Sequence, residues 1–317
     1  MKAVLVGNYG VGNFGDEALK EYFLSAYPEV SWTVLTAKSA LAEELPRLPI
    51  GPRSFFGTTW LKTVGAIRHA DAVVFGGGTL FTDIESVKAC ALWGVHALVA
   101  RLFGVPVFLA FQGIGPFKTR FGEAIARWVV RRARYVSVRD VSSMERVRSW
   151  QGTTVEQTFD PVFLSFVRGK REGERSTFVL IPRHNSGRAF LQALEPHARA
   201  LRDTPIVVAL FQPDDARERR VVETLRRHYP QASVRTIRTI DDLMTLLSTA
   251  AFCVCERFHG ALAAVAAGAP LMIVSQAEGD KLESVRSLVE KGGIGDAVAA
   301  AERGESSLRT ALSGIAS

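Results

Sequence analysis

The feature that most constrains the fold is a repeated pattern in which a short apolar segment runs into a glycine-containing or charged loop and then into a helical segment. In the first half of the chain the predicted strands are 2–7, 32–36, 72–75, 105–111 and 135–138. Continuous apolar runs of this kind are typical of parallel strands that helices cover on both faces. The pattern therefore predicts an α/β fold.

The same alternation resumes after a polar, glycine-containing stretch at 167–176, which is typical of a linker. Predicted strands 177–181, 206–210, 233–237, 252–255 and 271–274 alternate there with predicted helices 189–201, 216–228, 241–248 and 260–267. We therefore predict two Rossmann-like domains facing a cleft, a GT-B-like arrangement. The predicted domains are 1–167 and 176–317, with the last helix packing back on the first domain.

The chain is basic, with a net charge of +7 and a pI near 9.5, which favours anionic partners. Two arginine clusters contribute, one at 127–134 and one formed by Arg217, Arg219 and Arg220. We interpret both as solvated faces, with attraction to an anionic lipid or a lipid-linked diphosphate as the alternative. No nucleic-acid module accompanies them, so we expect no nucleic-acid partner.

The apolar segments argue against a membrane span and against a signal peptide. Residues 1–6 form a short strand-like run, and the apolar regions 91–111 and 261–274 are interrupted by charged residues, glycine or proline. We expect a cytoplasmic location.

The three cysteines, Cys90, Cys253 and Cys255, are too few and too isolated for a disulfide framework or a zinc site. We predict buried free thiols.

The first candidate site motif is the loop after the first predicted strand, where Gly10, Gly12 and Gly15 have the G-x-G-x-x-G spacing. A dinucleotide would place its pyrophosphate at such a turn. However, Asp16 and Glu17 follow immediately and would repel a phosphate. The motif therefore favours contacts to sugar hydroxyls through 13–15, or a catalytic role for Asp16. The alternative is that Asp16 only complements the helix dipole.

Two further glycine loops and a charged pair follow other strands. They contain Gly77, Gly78 and Thr79, then Gln112 and Gly113, and then Arg139 and Asp140. Glycine loops offer backbone amides to an anion, although a tight structural turn is an equally good interpretation. Arg139 is suited to a carboxylate or a phosphate; the alternative is an internal ion pair with Asp140.

The sharpest motif follows strand 252–255, where Arg257 and His259 open a helix of small residues. A histidine transfers protons near neutral pH, and a guanidinium beside it holds phosphate or carboxylate. Arg183 and Lys281 follow other strands of the same half. Taken alone, each of these two would be interpreted as a surface charge.

In their order, these motifs resemble the polysaccharide pyruvyl transferase family over nearly the whole chain. The ordered set is Asn13-Phe14-Gly15-Asp16-Glu17, Gly76-Gly77-Gly78-Thr79, Gln112-Gly113-Ile114-Gly115-Pro116, Arg139-Asp140, Asp160-Pro161, Arg257-Phe258-His259-Gly260 and Lys281. The likeness is greatest to the bacterial cell-wall branch. That resemblance implies transfer from phosphoenolpyruvate to a lipid-linked, N-acetylmannosamine-containing precursor of the secondary cell wall polysaccharides that anchor S-layers. It also leaves open a peripheral contact with the inner face of the membrane.

The resemblance also implies roles for individual residues. Phosphoenolpyruvate would be bound by Arg139, Arg183, Arg257 and Lys281. His259 would transfer a proton to the methylene carbon, and Asp16 would activate or orient an acceptor hydroxyl. Asn13, Gly15, Gly77, Gly78, Thr79, Gln112 and Gly113 would form the glycine loops and acceptor contacts. Phosphoenolpyruvate is then a co-substrate, and neither a cofactor nor a metal ion is expected.

One departure from the family pattern concerns the loop before Lys281. Many members carry Tyr-Asp there, whereas this chain has 276–280 as Gln-Ala-Glu-Gly-Asp. Three other functions remain as alternatives: a GT-B glycosyltransferase using a nucleotide sugar, a non-catalytic nucleotide-binding protein of envelope assembly, and a dehydrogenase. The glycosyltransferase is weakened because 172–305 holds no pair of glutamates eight positions apart, and the dehydrogenase because Asp16 and Glu17 stand against a phosphate turn.

Overall fold

A computed structural model describes residues 1–38, 43–50, 58–84, 86–150, 152, 154–275, 281–290 and 293–316. The chain divides into two compact units. Unit 1 comprises Met1–Val11, Leu19–Pro161 and Ala299–Ser317, and unit 2 comprises Gly12–Ala18 and Val162–Val298. The segment Gly12–Ala18, which contains Gly15 and Asp16, thus belongs to unit 2.

Unit 1 is built on a parallel sheet of seven strands in the order β3-β2-β1-β4-β5-β6-β7. The strands are β1 (Lys2–Tyr9), β2 (Ser31–Thr36), β3 (Glu44–Pro46), β4 (Ala72–Gly76), β5 (Val107–Gln112), β6 (Tyr135–Val138) and β7 (Glu156–Gln157). Every residue of the central strands β4 and β5 is buried. Both faces of the sheet are therefore covered, as the apolar runs predicted.

The helices of unit 1 alternate with these strands. They are α1 (Phe14–Ala26), which begins in unit 2, α2 (Trp60–Arg68), α3 (Val87–Leu102), α4 (Arg120–Val130), α5 (Val141–Ser149) and the later part of α13 (Ile294–Ala316). A cluster of buried aromatic rings joins α1 to the sheet, with Tyr22 and Phe23 about 6 Å from Phe111. Tyr22 also donates a 2.9 Å hydrogen bond to Glu305 of α13.

Unit 2 is built on a parallel sheet of five strands in the order β10-β9-β8-β11-β12. The strands are β8 (Thr177–Ile181), β9 (Ile206–Leu210), β10 (Ser233–Thr236), β11 (Ala250–Cys255) and β12 (Leu271–Ile273). The helices are α6 (Val162–Arg168), α7 (Arg188–Leu194), α8 (Ala198–Asp203), α9 (Ala216–His228), α10 (Ile240–Ser248), α11 (Phe258–Ala267) and α12 (Leu282–Glu290). The strand order reverses between β8 and β11, and the loops after these two strands flank the reversal point.

One predicted helix is wrong in its extent. The segment 189–201, predicted as continuous, is divided into α7, a single 3-10 turn at Glu195–His197, and α8. Pro196 lies in that turn, and a proline inside a helix has no N–H to donate and clashes with the preceding turn. The α-helix is therefore interrupted at this point.

The predicted α/β fold class with Rossmann-like parallel sheets is confirmed. The predicted thiols are also confirmed, since all three cysteines are free and buried. Burial raises the pKa of the Cys255 thiol to about 12 and that of Cys253 well above its usual value. Among the described residues, no helix is long and apolar enough to cross a membrane.

Candidate active site

The candidate site of unit 2 lies at the carboxyl ends of β8 and β11, where the strand order reverses. In open α/β sheets, ligands bind at this reversal point. The loop after β8 begins with Pro182, Arg183 and His184, and the loop after β11 contains Glu256 and Arg257 before α11 begins. The topology thus brings two of the predicted cations to neighbouring strand ends.

His259 lies in the first turn of α11 and is packed against Gly15 in the first turn of α1. A Cβ atom at Gly15 would lie 2.1 Å from Nδ1 of His259, so only glycine lets the backbone approach the imidazole this closely. The adjacent Phe14 ring meets Phe211 edge-on, with the ring centroids 5.0 Å apart. Within unit 2, this segment therefore contacts His259 through Gly15 and Phe211 through Phe14.

The carboxylate of Asp16 is oriented by Asn13 at the start of α1. Nδ2 of Asn13 donates a 2.8 Å hydrogen bond to Oδ2 of Asp16, and the carbonyl of Asn13 accepts the N–H groups of Asp16 and Glu17 at 3.1 Å. Asp16 lies in the first turn of the helix, where a negative charge is also favourable. The structure thus places Asn13, Gly15 and Asp16 in one short segment against His259.

Arg257 is held by a buried acid that the sequence did not single out. Its Nη2 pairs with the carboxylate of Glu218, Nε donates to the carbonyl of Pro182 at 2.8 Å, and the guanidinium lies 5.2 Å from the centroid of the Phe211 ring. Neither of these hydrogen bonds uses Nη1. Burial lowers the pKa of Arg257, and the charge of Glu218 acts in the opposite direction.

Glu218 itself is fully buried and has partners for both of its oxygens. Oε1 accepts the backbone N–H of Phe211 at 2.7 Å and that of Gln212 at 3.3 Å, while Oε2 receives the guanidinium of Arg257. The carboxylate therefore ties the loop after β9 to the cation after β11. A signal for it exists in the sequence, because Glu218 shares the inward face of α9 with the buried Val222 and Leu225, at i+4 and i+7.

A second buried acid, Glu256, supports the loop after β8. The N–H of Arg183 donates a 2.7 Å hydrogen bond to Oγ of Ser186, and that hydroxyl donates to Glu256. The N–H of Glu256 in turn donates to the carbonyl of Ile181 at 3.0 Å. The backbone at Arg183 is thereby fixed relative to the end of β11.

Lys281, also predicted to bind the donor, is exposed and immediately precedes α12. Its carbonyl accepts the N–H of Ser284 at 3.2 Å and the hydroxyl of Ser284 at 2.6 Å. The loop 276–280, in which the chain departs from the family pattern, lies outside the described residues.

The remaining predicted residues lie together in unit 1. Arg139 forms a buried ion pair with Asp160 and donates from Nη2 to Oγ1 of Thr79 at 3.1 Å. The alternative pairing with Asp140 is wrong, because the Asp140 side chain accepts the N–H of Ser143 at 2.7 Å and caps α5. Arg139 is therefore placed beside Thr79 by a residue 21 positions later in the chain.

The glycine loops of unit 1 meet around the same arginine. The N–H of Gly77 donates to Ala110 at 2.9 Å and that of Gly113 to the carbonyl of Gly78 at 2.7 Å. Nε2 of Gln112 donates to the carbonyls of Phe75, Gly77 and Ala110 at 3.0–3.1 Å. These bonds fasten the ends of β4 and β5 to each other.

Solved structures with the same fold are nucleotide-sugar proteins with low sequence identity. UDP-GlcNAc 2-epimerase from Methanocaldococcus jannaschii has a TM-score of 0.56 and 10% identity, covering 92% of each chain. Anabaena Alr3699/HepE in complex with UDP-glucose has a TM-score of 0.56 and 13% identity, covering 100% of this chain and 98% of that one. UDP-GlcNAc 2-epimerase from Neisseria meningitidis bound to UDP-GlcNAc has a TM-score of 0.57 and 11% identity, covering 98% and 99%.

These similarities confirm the predicted GT-B-like fold. At such identities they bear on fold alone. None of the curated proteins matches this chain in sequence. A family model described as polysaccharide pyruvyl transferase matches residues 13–277 of this chain.

Proposed function

Because the chain belongs to the polysaccharide pyruvyl transferase family and is therefore a transferase, we propose that it moves the pyruvyl group of phosphoenolpyruvate onto a sugar as a cyclic ketal. The observation that carries the proposal is the packing of His259 against Gly15, beside the Asn13–Asp16 pair, at the strand ends that also bear Arg183 and Arg257. A proton-transfer group, an oriented carboxylate and two cations are thus supplied by one unit.

The donor carries a carboxylate and a phosphate, and both need cationic partners. Arg257 is the best placed of these cations. Glu218 holds its Nη2 and Pro182 holds its Nε, whereas Nη1 takes part in neither of these two hydrogen bonds. A guanidinium held in this way binds an anion without first losing side-chain entropy. In the proposal Arg183 and Lys281 supply further positive charge, and the family resemblance adds Arg139 to the residues that bind the donor.

The proposed reaction replaces the phosphate ester at C2 of phosphoenolpyruvate by two sugar oxygens. His259 donates a proton to the methylene carbon, which becomes a methyl group and leaves C2 electrophilic. The first sugar hydroxyl attacks C2 and gives up its proton to Asp16 or to the deprotonated imidazole. The second hydroxyl then forms the other C–O bond as inorganic phosphate leaves with the remaining proton. Nothing is oxidised or reduced.

For the acceptor, the proposal uses the segment 13–16, and the family resemblance adds Thr79, Gln112 and Gly113. We propose N-acetylmannosamine in a lipid-linked cell-wall precursor as the acceptor, on the family resemblance, with the protein acting in the cytoplasm at the inner face of the membrane. No cofactor takes part in this scheme.

The test is to titrate the protein with phosphoenolpyruvate by calorimetry and then to measure phosphate release with an N-acetylmannosaminide acceptor. We expect His259→Asn to bind phosphoenolpyruvate but to release phosphate at least about a hundredfold more slowly, as loss of a proton-transfer group predicts. Gly15→Ala should act in the same direction because its Cβ would displace the imidazole. Arg257→Gln should weaken phosphoenolpyruvate binding itself.

The matched control is His228→Asn, because His228 is exposed on α9 and its Nδ1 lies 2.9 Å from the local carbonyl oxygen of Thr224. Its activity should equal that of the unchanged protein. Binding of a nucleotide sugar together with no response to phosphoenolpyruvate would overturn the proposal and favour a glycosyltransferase.

A further inference from the structure

A cavity of about 470 Å³ lies in unit 2 between the start of α7 and the face of α9. Its rim includes His184, Arg188, Arg217 and Arg220, and the hydroxyls of Ser186 and Thr224 also line it. Arg217 and Arg220 were interpreted from the sequence as part of a solvated face. Both are exposed, but they share this cavity rather than pointing independently into solvent.

The cations of the rim exceed the acids that balance them. Arg188 and Arg220 have no side-chain hydrogen bond or ion pair with any residue that the structure describes. Arg217 is paired with Asp215 through Nε and Nη2, at 2.8 Å for the latter. Arg188 and Arg220 thus leave two positive charges that no described carboxylate pairs with, and a ligand can neutralise them.

The shifted pKa values of two neighbouring groups agree with this excess of positive charge. The pKa of His184 is lowered, first by burial and then by the positive charges of Arg217, Arg183 and Arg257, with Asp215 acting against them. The hydrogen bonds from Arg217 hold the pKa of Asp215 at about 2. The lowered pKa favours the neutral imidazole of His184, so the positive charge of the rim comes from its arginines.

The inner wall of the cavity is apolar. Phe190 and Leu225 are buried, and Leu191 and Val221 are half-buried and pack against the core of unit 2. A cavity of this volume is larger than an inorganic phosphate needs and falls in the range that holds a small organic ligand. The positively charged rim and the apolar wall together favour a ligand that has both an anionic group and an apolar part.

We propose that this cavity binds an organic diphosphate, with the diphosphate between Arg188, Arg217 and Arg220 and the adjoining carbon skeleton against Leu191 and Val221. Two linked phosphoryl groups match the surplus of two positive charges and the spread of three arginines over two helices. The inference does not rest on the identity of the pyruvyl donor, since it uses none of the residues assigned to phosphoenolpyruvate.

The experiment is a calorimetric titration of the full chain at constant ionic strength with three probes: uridine diphosphate, farnesyl diphosphate and inorganic pyrophosphate. We expect at least one organic diphosphate to bind more tightly than pyrophosphate. Arg220→Gln should weaken that binding about tenfold or more, the loss expected for one charge-assisted contact. Arg226→Gln is the matched control, because Arg226 is exposed on the same helix and does not line the cavity.

A substitution in the apolar wall tests the contact with the carbon skeleton separately from the contacts with the diphosphate. Leu191→Ala should weaken the organic diphosphate while leaving pyrophosphate unchanged. Tighter binding of uridine diphosphate would identify a nucleotide as the ligand, and tighter binding of farnesyl diphosphate would identify a lipid carrier; either supports the site. Equal losses in Arg220→Gln and Arg226→Gln would overturn it, because they would indicate diffuse attraction to a basic surface. Absence of binding by all three probes would also overturn it.

Discussion

At the scale of single residues, the candidate site depends on buried acids as much as on the cations they hold. Glu218 and Glu256 are both buried, and each is bonded to a loop that carries a predicted donor-binding arginine. A long, flexible side chain loses entropy when it binds a ligand, and a partner that fixes it beforehand reduces that loss. Glu218 is therefore a positioning residue for Arg257.

Removing the charge of Glu218 tests this role. Glu218→Gln keeps an oxygen for the backbone N–H groups of Phe211 and Gln212 but leaves the Arg257 guanidinium buried without its carboxylate. We expect the free energy of unfolding to fall by about 3 kcal/mol, the cost of breaking a buried ion pair. We also expect KM for phosphoenolpyruvate to rise more than kcat falls. Chemical denaturation and steady-state kinetics measure the two effects.

Glu223→Gln provides the comparison, since Glu223 is exposed on the same helix. Its stability and kinetics should be unchanged. A Glu218→Gln variant that lost stability but kept its KM would contradict the positioning role and leave Glu218 a purely structural acid.

The candidate site residues that the sequence singled out lie within short motifs. Gly15, Asp16 and His259 were chosen from two short segments, and the structure brings those segments into contact. Glu218 was missed because its partner Arg257 is 39 positions away and because the arginines around it suggested a solvated helix. Long-range ion pairs leave no local pattern that a sequence can display.

At the scale of elements, the apolar runs located the central strands well. Strands β6, β8 and β9 and helix α9 have the predicted bounds, because they combine a continuous apolar or amphipathic pattern with clear polar ends. The two-residue strand β7 was not predicted, since so short an edge segment has no periodicity to detect. Pro196 was the available signal for the break between α7 and α8.

The N-cap of α5 gives a test at this scale. Asp140 was considered as a site charge, but its side chain accepts the N–H of Ser143. Asp140→Ala should lower the free energy of unfolding by about 1 kcal/mol, the usual value of an N-cap, without changing turnover. Asp140→Asn, which preserves the cap without the charge, should restore most of that stability. Loss of turnover in Asp140→Asn with unchanged stability would assign the charge to the site instead.

At the scale of the whole molecule, unit 1 is completed by the end of the chain. Residues from Ala299 onward belong to it, and Arg309 donates to the carbonyl of Ala26 at 2.6 Å while Ser307 donates to Glu156 at 3.0 Å. Contacts that span 283 and 151 positions cannot be inferred from local periodicity. They also imply that the seven-stranded unit cannot complete its core until the last helix has been made.

Two glycines of α13 test how closely that helix is fitted to unit 1. A Cβ at Gly304 would lie 2.6 Å from the Phe111 ring and 2.6 Å from Cγ2 of Thr158, both buried, whereas a Cβ at Gly314 would meet nothing within 4 Å. Alanine is favoured over glycine within a helix, so Gly314→Ala should raise the free energy of unfolding by a few tenths of a kcal/mol. Overpacking outweighs that gain at Gly304, and Gly304→Ala should lower it by about 1 kcal/mol or more. Denaturant titration of the two variants measures both changes. If Gly304→Ala instead stabilised the protein, α13 would pack less tightly on β5 than the 2.6 Å approach to Phe111 implies.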